Sequence, residues 1–139
     1  MNLPAICVKT HRNPRITLSE TKSVLYLQNP KLHEVQVIEI DKCVLKNAEG
    51  QKCDYLVQIE ETKTSLFIEL KGSDIPKGYE QIKATAHKLK EHLKPRQIWI
   101  VICSGTPRII TSEQQKIIRE TKKASITWRV QNSHSLYIL

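Results

Sequence analysis

The chain has 139 residues, which is enough to bury a hydrophobic core without disulfide bonds. Its hydrophobic fraction of 40% and charged fraction of 26% are ordinary for a soluble globular protein, and no apolar run approaches the roughly 18 residues that span a bilayer. Lysine and arginine number 22 against 14 acidic residues, and the net charge of +8 favours a polyanionic partner such as nucleic acid.

The N-terminus and the cysteines point to a reducing compartment. The first residues carry only a short apolar patch before charge returns, which is not typical of a secretory signal, so a cytoplasmic protein is expected. The cysteines contain no CxxC pair and lie in or beside apolar runs. They predict buried free thiols rather than disulfides, with a zinc site as the alternative. They are Cys7, Cys43, Cys53 and Cys103.

The first elements predicted along the chain are strands. Residues 1–34 give the weakest pattern, a basic stretch followed by a short strand at 23–28. Runs rich in β-branched residues, separated by turn residues, then predict an antiparallel meander. Its strands cover 35–45, 53–60 and 65–71.

Helices and buried strands are predicted to follow the meander. Ser73 or Asp74 can cap a helix with Pro76 in its first turn, and one apolar stripe continues to about Leu93. An apolar run at 97–103 is typical of a central strand. A second helix is predicted at 111–123, where Thr111/Gln114 and Ser112/Gln115 have capping-box spacing, and the closing strands at 126–130 and 136–139.

This order of elements predicts the fold class. Three strands, a helix, a strand, a helix and a further strand indicate an α/β or α+β protein, in which a mixed sheet with an antiparallel meander is flanked by helices. No repeat or linker interrupts residues 1–139, so a single domain is predicted.

The candidate site lies on the second and third strands of the meander. Because side chains alternate along a strand, Glu69 and Lys71 share one face. A hairpin with its turn at 61–64 would bring Asp54 opposite Lys71 on that same face. The other face of the hairpin is predicted to be the packing face.

Two carboxylates and a lysine at one end of a hairpin suggest metal chemistry. Neighbouring carboxylates repel each other when ionised, and a hard divalent cation removes that conflict. Asp54 and Glu69, with the backbone carbonyl of Leu70, thus predict a site for Mg²⁺ or Mn²⁺. Such an ion can activate a water and stabilise a phosphorane-like transition state, while Lys71 orients or helps deprotonate the water. The alternative is a salt bridge on a solvated sheet face.

The same residues carry a resemblance to a known family. The stretch CDYLVQIEETKTSLFIELKG, followed by a helix with Gln81, resembles the PD-(D/E)XK nuclease superfamily, which includes restriction endonucleases and Holliday junction resolvases. Asp54 matches the Asp of its motif, and Glu69 and Lys71 match Glu-x-Lys. The resemblance covers about 35–103 and implies a restriction-endonuclease-like fold, metal binding by Asp54 and Glu69 and catalysis by Lys71. Cys53 stands where the motif has proline.

A third acidic ligand has no clear candidate. Many members of the superfamily supply one from a helix before the meander, and no such helix is predicted here. If the first turn centres on Glu49-Gly50, Glu39 and Asp41 share the face of Asp54. Asp41 is then a candidate third metal ligand, and an exposed strand carboxylate is the alternative.

Several basic and polar residues are candidates for nucleic-acid binding. Lys77 and Gln81 should lie near the N-terminus of the first helix, close to Lys71, where phosphate contacts are favourable. Arg12 and Arg15 would extend a basic groove. For each of these residues, a plain surface position is the alternative.

The patterns together predict a metal-dependent nuclease, and DNA is favoured over RNA as its substrate. In so short a chain, specificity would come from loops, a partner protein or a homodimer, and a dimer would most simply cut both strands of a duplex. Two alternatives stay open. One is a non-catalytic nucleic-acid-binding or assembly subunit of the same fold, and the other is a structural interaction protein whose sheet face carries a chance salt bridge.

Overall fold

The computed structural model describes residues 3–21, 23–70, 74–105 and 109–139. Nine strands and two α-helices lie within these residues, so the fold is mixed α/β, as predicted. They are β1 Val8–His11, β2 Arg15–Glu20, β3 Ser23–Gln28, β4 Val35–Glu39, β5 Tyr55–Ile59, β6 Thr64–Glu69, α1 Ile75–Lys88, β7 Arg96–Cys103, α2 Thr111–Lys123, β8 Ile126–Asn132 and β9 Ser135–Ile138. Neither helix has the length and apolar content that a bilayer span requires, among the residues just given.

A six-stranded mixed sheet forms the centre of the molecule, in the order β1-β4-β5-β6-β7-β8. The pairs from β1 to β6 are antiparallel, which confirms the predicted meander, and β6, β7 and β8 are parallel. Parallel neighbours need a crossover connection, and α1 and α2 provide the two crossovers.

Each face of the central sheet packs against a different layer. Both helices cover one face, and a three-stranded sheet of order β2-β3-β9 covers the other. Because side chains alternate along a strand, neighbouring residues enter different cores. Leu56 and Trp99 pack on the helix side, whereas Val57 and Ile100 pack on the side of the small sheet. The buried central strand predicted from the run at 97–103 is confirmed as β7.

Helix α1 begins at a side-chain cap and ends before its apolar stripe does. The Oδ1 of Asp74 accepts a hydrogen bond from the backbone N–H of Lys77 at 3.1 Å, so the predicted Asp74 cap of α1 is confirmed. The helix ends at Lys88, earlier than predicted, because a 3₁₀ turn at Lys90–His92 follows. Leu93 still packs on the helix-side core, so the apolar stripe outlasts the helix.

The second helix has the predicted bounds but a different start. Its N-cap position is Ile110, and no side chain caps this end among the described residues. Thr111 and Ser112 already lie inside the helix, so neither predicted capping box forms.

The N-terminal segment contributes β1 and β2, which the sequence pattern did not predict, and β3, which it did predict at 23–28. In β2, buried Ile16 and Leu18 alternate with exposed residues, and β3 pairs with it in antiparallel fashion. On its other side β3 pairs with β9 in parallel. The small sheet thus joins segments from opposite ends of the chain, a pairing that has no local sequence signal.

Two of the four cysteines are joined. Cys7 and Cys43 form a disulfide bond with their Cα atoms 5.6 Å apart. The prediction of free thiols is therefore wrong for this pair, whereas Cys53 and Cys103 are free and buried, as predicted. The partners lie 36 residues apart. They meet only because a 3₁₀ turn and a π-helical turn, both irregular, bring them together.

We expect replacement of Cys43 by serine to lower the free energy of unfolding by about 3–4 kcal/mol, because the disulfide restricts the unfolded chain. Urea denaturation with and without dithiothreitol measures this loss. The wild type and a Cys103→Ala control should both become less stable on reduction, and the Cys43→Ser variant should not respond. Equal stability of the oxidised and reduced wild type would contradict the disulfide.

Candidate active site

Asp54 and Glu69 lie at one end of the β5–β6 hairpin. Tyr55 is opposite Ile68, two residues short of the Leu70 that the predicted register would place there. The predicted pairing of Asp54 with Lys71 is therefore wrong. The turn comprises residues 60–63 rather than 61–64, because Ile59 pairs with Thr64.

The shift of the turn has a local cause. Lys63 adopts a left-handed conformation with a φ of 50°, and its N–H donates to the carbonyl of Glu60 at 3.1 Å. As a result β5 ends, and β6 begins, one residue earlier than predicted. A shift of that size preserves the face of every side chain within the paired strands, Tyr55–Ile59 and Thr64–Glu69.

Hydrogen bonds from Asp54 reach both neighbouring strands. Its N–H donates to the carbonyl of Ile68 at 3.2 Å, and its own carbonyl accepts from the N–H of Ile40 at 2.9 Å. Its side-chain Oδ2 accepts from the N–H of Leu70 at 2.7 Å. Residues on both sides of Glu69 thus bond to Asp54, which holds the two acidic residues side by side.

Both acidic residues are buried. Asp54 is 5% exposed and Glu69 is 0% exposed. Leu56 and Phe67, on the helix-side face of the same hairpin, belong to the core, and Glu69 lies against Gly78 of α1. The predicted division into a packing face and a charged face is therefore wrong, because both faces pack and the charges occupy one end.

Helix α1 covers the carboxylate pair at a glycine. A Cβ atom at Gly78 would lie 3.1 Å from both methyl groups of Val101 and 3.7 Å from the Cγ of Glu69. Only a residue without a side chain allows the helix to approach the sheet this closely. Gly78 thus lets α1 pack directly against Glu69.

The residue before Asp54 is also fixed by α1. The Oγ1 of Thr85 accepts a hydrogen bond from the N–H of Cys53 at 2.9 Å and donates to the carbonyl of Gln81 at 2.8 Å. Burial, with the charges of Glu69 and Asp54, raises the pKa of the Cys53 thiol. The thiol is consequently protonated. It lines the site as a neutral side chain and does not act as a nucleophile.

Two lysines outside the predicted motif lie near this end of the sheet. Lys42 is in the π-helical turn Ile40–Val44, with its Nζ 2.6 Å from Oε1 of Glu20, and this hydrogen bond and charge raise the pKa of Lys42. The Nζ of Lys52 donates to the carbonyl of Ala48 at 3.0 Å. Sequence analysis missed both lysines because their positions depend on an irregular turn.

The candidate third ligand is not on the predicted face. Glu39, the last residue of β4, pairs with Tyr55 and therefore lies on the opposite face from Asp54, so the predicted register is wrong. Asp41 lies beyond the strand in the π-helical turn, and its Oδ1 is 3.6 Å from the Nζ of Lys52. Among the described residues, no three His, Cys, Asp or Glu side chains cluster as a metal site.

The remaining predicted residues have separate surroundings. Lys71 lies outside the described residues, and its catalytic role stays a prediction. Lys77 is exposed, and the Nε2 of Gln81 donates to the carbonyl of Lys52 at 3.4 Å. Gln81 thus contacts the strand segment that leads into Asp54.

The two predicted arginines have different partners. Arg12 lies 3.7 Å from a carboxylate oxygen of Glu34 and 3.9 Å from one of Glu61. The guanidinium of Arg15 lies over the ring of Tyr26, 4.9 Å from its centroid. Arg12 therefore lies near carboxylates, whereas Arg15 packs against an uncharged aromatic ring.

No family model matches the sequence, and searches of curated proteins and of solved structures found no significant match. What the site can do follows from its donor atoms. Carboxylate and peptide oxygens are the ligands that Mg²⁺ prefers, and one or two carboxylates commonly suffice when water and substrate phosphate complete its coordination. Asp54 and Glu69 fit that pattern, and the carbonyl of Leu70 stays a predicted third donor.

We expect replacement of Thr85 by valine to lower the free energy of unfolding by about 1–3 kcal/mol, because it leaves the buried N–H of Cys53 without an acceptor. Urea denaturation gives the loss, and amide hydrogen exchange should show faster exchange at Cys53. Thr85→Ser should restore both values.

Thr121 provides the matched control for this substitution. It is a buried helical threonine whose Oγ1 donates to the carbonyl of Ile117 at 2.8 Å, and that carbonyl lies within the regular part of α2. Thr121→Val should cost less than about 1 kcal/mol. Equal losses for Thr85→Val and Thr121→Val would refute a special role of the Thr85 hydroxyl.

Proposed function

We propose that the protein is a metal-dependent nuclease that holds Mg²⁺ or Mn²⁺ between Asp54 and Glu69 and cleaves nucleic acid, with DNA favoured over RNA. The buried carboxylate pair carries the proposal. Two carboxylates side by side and out of water cannot both ionise without a large electrostatic cost, and a divalent cation offsets it.

The surroundings of the pair suit phosphodiester hydrolysis. When bound, a divalent cation supplies Lewis-acid stabilisation of the negative charge that develops on a phosphodiester. Asp54 is kept in place by its backbone bonds to Ile68 and Ile40, and Glu69 is shielded from bulk water by α1. The proposed role of Lys71 is to orient the attacking water and offset phosphate charge.

The arrangement of elements supports the family resemblance. A PD-(D/E)XK motif requires an Asp on one strand, Glu-x-Lys on the next, and then a helix and a further strand. Here β5, β6, α1 and β7 follow in that order, with Asp54 directly before β5 and Glu69 at the end of the neighbouring strand β6. This supports a restriction-endonuclease-like fold with the meander at its centre.

The charge of the chain supports a polyanionic substrate. The net charge of +8 attracts nucleic acid over several ångströms in solution. We propose endonucleolytic action, with a homodimer or a partner protein supplying the second cut and the specificity. The Cys7–Cys43 disulfide weighs against the predicted cytoplasmic location.

A cleavage assay tests this function. Wild-type protein, incubated with labelled single-stranded, duplex and branched DNA and with RNA, should cut at least one substrate in Mg²⁺ or Mn²⁺ and none in EDTA. Asp54→Asn, Glu69→Gln and Lys71→Ala should each lower the rate about 100-fold or more. Glu113→Gln removes an exposed carboxylate at the first turn of α2 and should retain full activity.

The outcomes separate the proposed nuclease from its alternatives. Binding of nucleic acid without cleavage in any metal would favour the non-catalytic subunit. Cleavage that survives Asp54→Asn and Glu69→Gln together would place the chemistry elsewhere or in a contaminant. Circular dichroism of each variant shows whether a lost activity reflects a lost fold.

A further inference from the structure

The Cys7–Cys43 disulfide joins the N-terminal segment to the turn that leads toward the candidate site. Cys7 ends the 3₁₀ turn Ala5–Cys7, and Cys43 lies in the π-helical turn Ile40–Val44. Within the part of the chain that the structure describes, the π-helical turn belongs to neither sheet. Strand pairing therefore does not restrain it, and the disulfide does.

The π-helical turn also contacts the candidate site through the backbone. It begins at Ile40, whose N–H donates to the carbonyl of Asp54 at 2.9 Å, and the carbonyl of Ile40 accepts from the N–H of Leu45 at 2.8 Å. Ile40 is thus bonded to a candidate metal ligand on one side and to the end of the turn on the other. A change in the conformation of the turn would act directly on the backbone of Asp54.

The remaining contacts of the turn are weaker than a covalent bond. The Oδ1 of Asp41 is 3.6 Å from the Nζ of Lys52, and the Nζ of Lys42 is 2.6 Å from the Oε1 of Glu20. Water reaches both ion pairs, since the side chain of Lys42 is 65% exposed and that of Asp41 is 32% exposed. Such pairs stabilise little, and Val44 is only partly buried against the core. The disulfide is therefore the main restraint on the turn.

The disulfide can open and close again between its own partners. Cys43 is partly exposed, whereas Cys7 is 5% exposed, so a reductant reaches the sulfur of Cys43 first. Exposed disulfides are the ones that are reduced readily. The other cysteines, Cys53 and Cys103, are buried, and burial raises the pKa of both thiols. Because a buried, protonated thiol does not attack a disulfide, neither competes for the open pair.

We propose that the Cys7–Cys43 disulfide is a redox switch of the candidate site. The oxidised form fixes the π-helical turn and binds the divalent cation, and reduction by a dithiol frees the turn and weakens cation binding. This inference rests on the proposed function and adds a regulation of the same site.

The switching step is a thiol–disulfide exchange with a dithiol reductant. A thiolate of the reductant attacks the Sγ of Cys43, the S–S bond breaks, and Cys7 leaves as a thiolate that takes up a proton. The second thiol of the reductant then displaces Cys43 from the mixed disulfide. Two electrons and two protons pass to the protein, so the cysteines become thiols and the dithiol becomes a disulfide.

The cation affinity of the full chain in its two redox forms tests the switch. The wild type is reduced with dithiothreitol, separated from the reductant by gel filtration without oxygen, and titrated with Mn²⁺, while electron paramagnetic resonance follows the free ion. Reduction should weaken Mn²⁺ binding about fivefold or more, and reoxidation should restore it. Amide hydrogen exchange at Ile40 should become faster on reduction. By linkage, saturating Mn²⁺ should make the disulfide harder to reduce by the same factor.

Cys103→Ala is the matched control, because it removes a buried thiol and leaves the disulfide in place. Its two redox forms should differ as those of the wild type do. Cys43→Ser, shown to be folded by circular dichroism, should bind Mn²⁺ as weakly as the reduced wild type whether or not dithiothreitol was added.

The outcomes separate the switch from the proposed nuclease. Equal Mn²⁺ affinity of the two wild-type forms, or unchanged exchange at Ile40, would overturn the switch and leave the nuclease proposal intact. No Mn²⁺ binding in either form would refute the metal site, and the switch with it. Redox-dependent Mn²⁺ binding without cleavage of any substrate would support the switch and refute the nuclease.

Discussion

The hydrogen bonds of Asp54 are the interaction on which the candidate site depends. They join the end of β5 to Ile40 after β4 and to Ile68 and Leu70 around the end of β6, just where the regular ladders stop. An ionised carboxylate has about four lone-pair positions, so Oδ2 can accept from Leu70 while the group still offers oxygen to a cation. The hydrogen bonds at the end of the strand pairing therefore also place the Asp54 carboxylate beside Glu69.

The elements packed around Asp54 and Glu69 bury both residues and so form the candidate site. Gly78 lets α1 approach Glu69, and Thr85 of the same helix holds the residue before Asp54. Charges interact more strongly out of water, so burial increases both the repulsion between the carboxylates and their attraction for a cation. The Cys7–Cys43 disulfide also anchors the π-helical turn that begins at Ile40, the residue bonded to the carbonyl of Asp54. The stability of the fold and the proposed affinity for a cation thus depend on the same few contacts.

Local patterns in the sequence predicted the parts that depend on local physics. Alternation placed the meander and the buried strand β7, and Asp74 was one of the two caps predicted for α1. Both bounds of α2 were right, although the capping boxes predicted at its start do not form. The end of the hairpin at which Asp54 and Glu69 meet was also predictable, because Asp54 directly precedes, and Glu69 ends, a strand that the pattern predicted. What the sequence did not reveal depends on irregular or distant geometry. The left-handed Lys63 moved the register, the π-helical turn put Glu39 on the other face, and the small sheet and the disulfide join segments far apart in the chain.

The most direct test of the central claim is to locate the cation itself. Crystals of the protein soaked in Mn²⁺, with data collected near the manganese absorption edge, give its position from the anomalous difference map. We expect a peak within bonding distance of carboxylate oxygens from both Asp54 and Glu69, and loss of that peak in Asp54→Asn. A soaked crystal that diffracts well but shows no peak there, or a peak that persists without the Asp54 carboxylate, would contradict it.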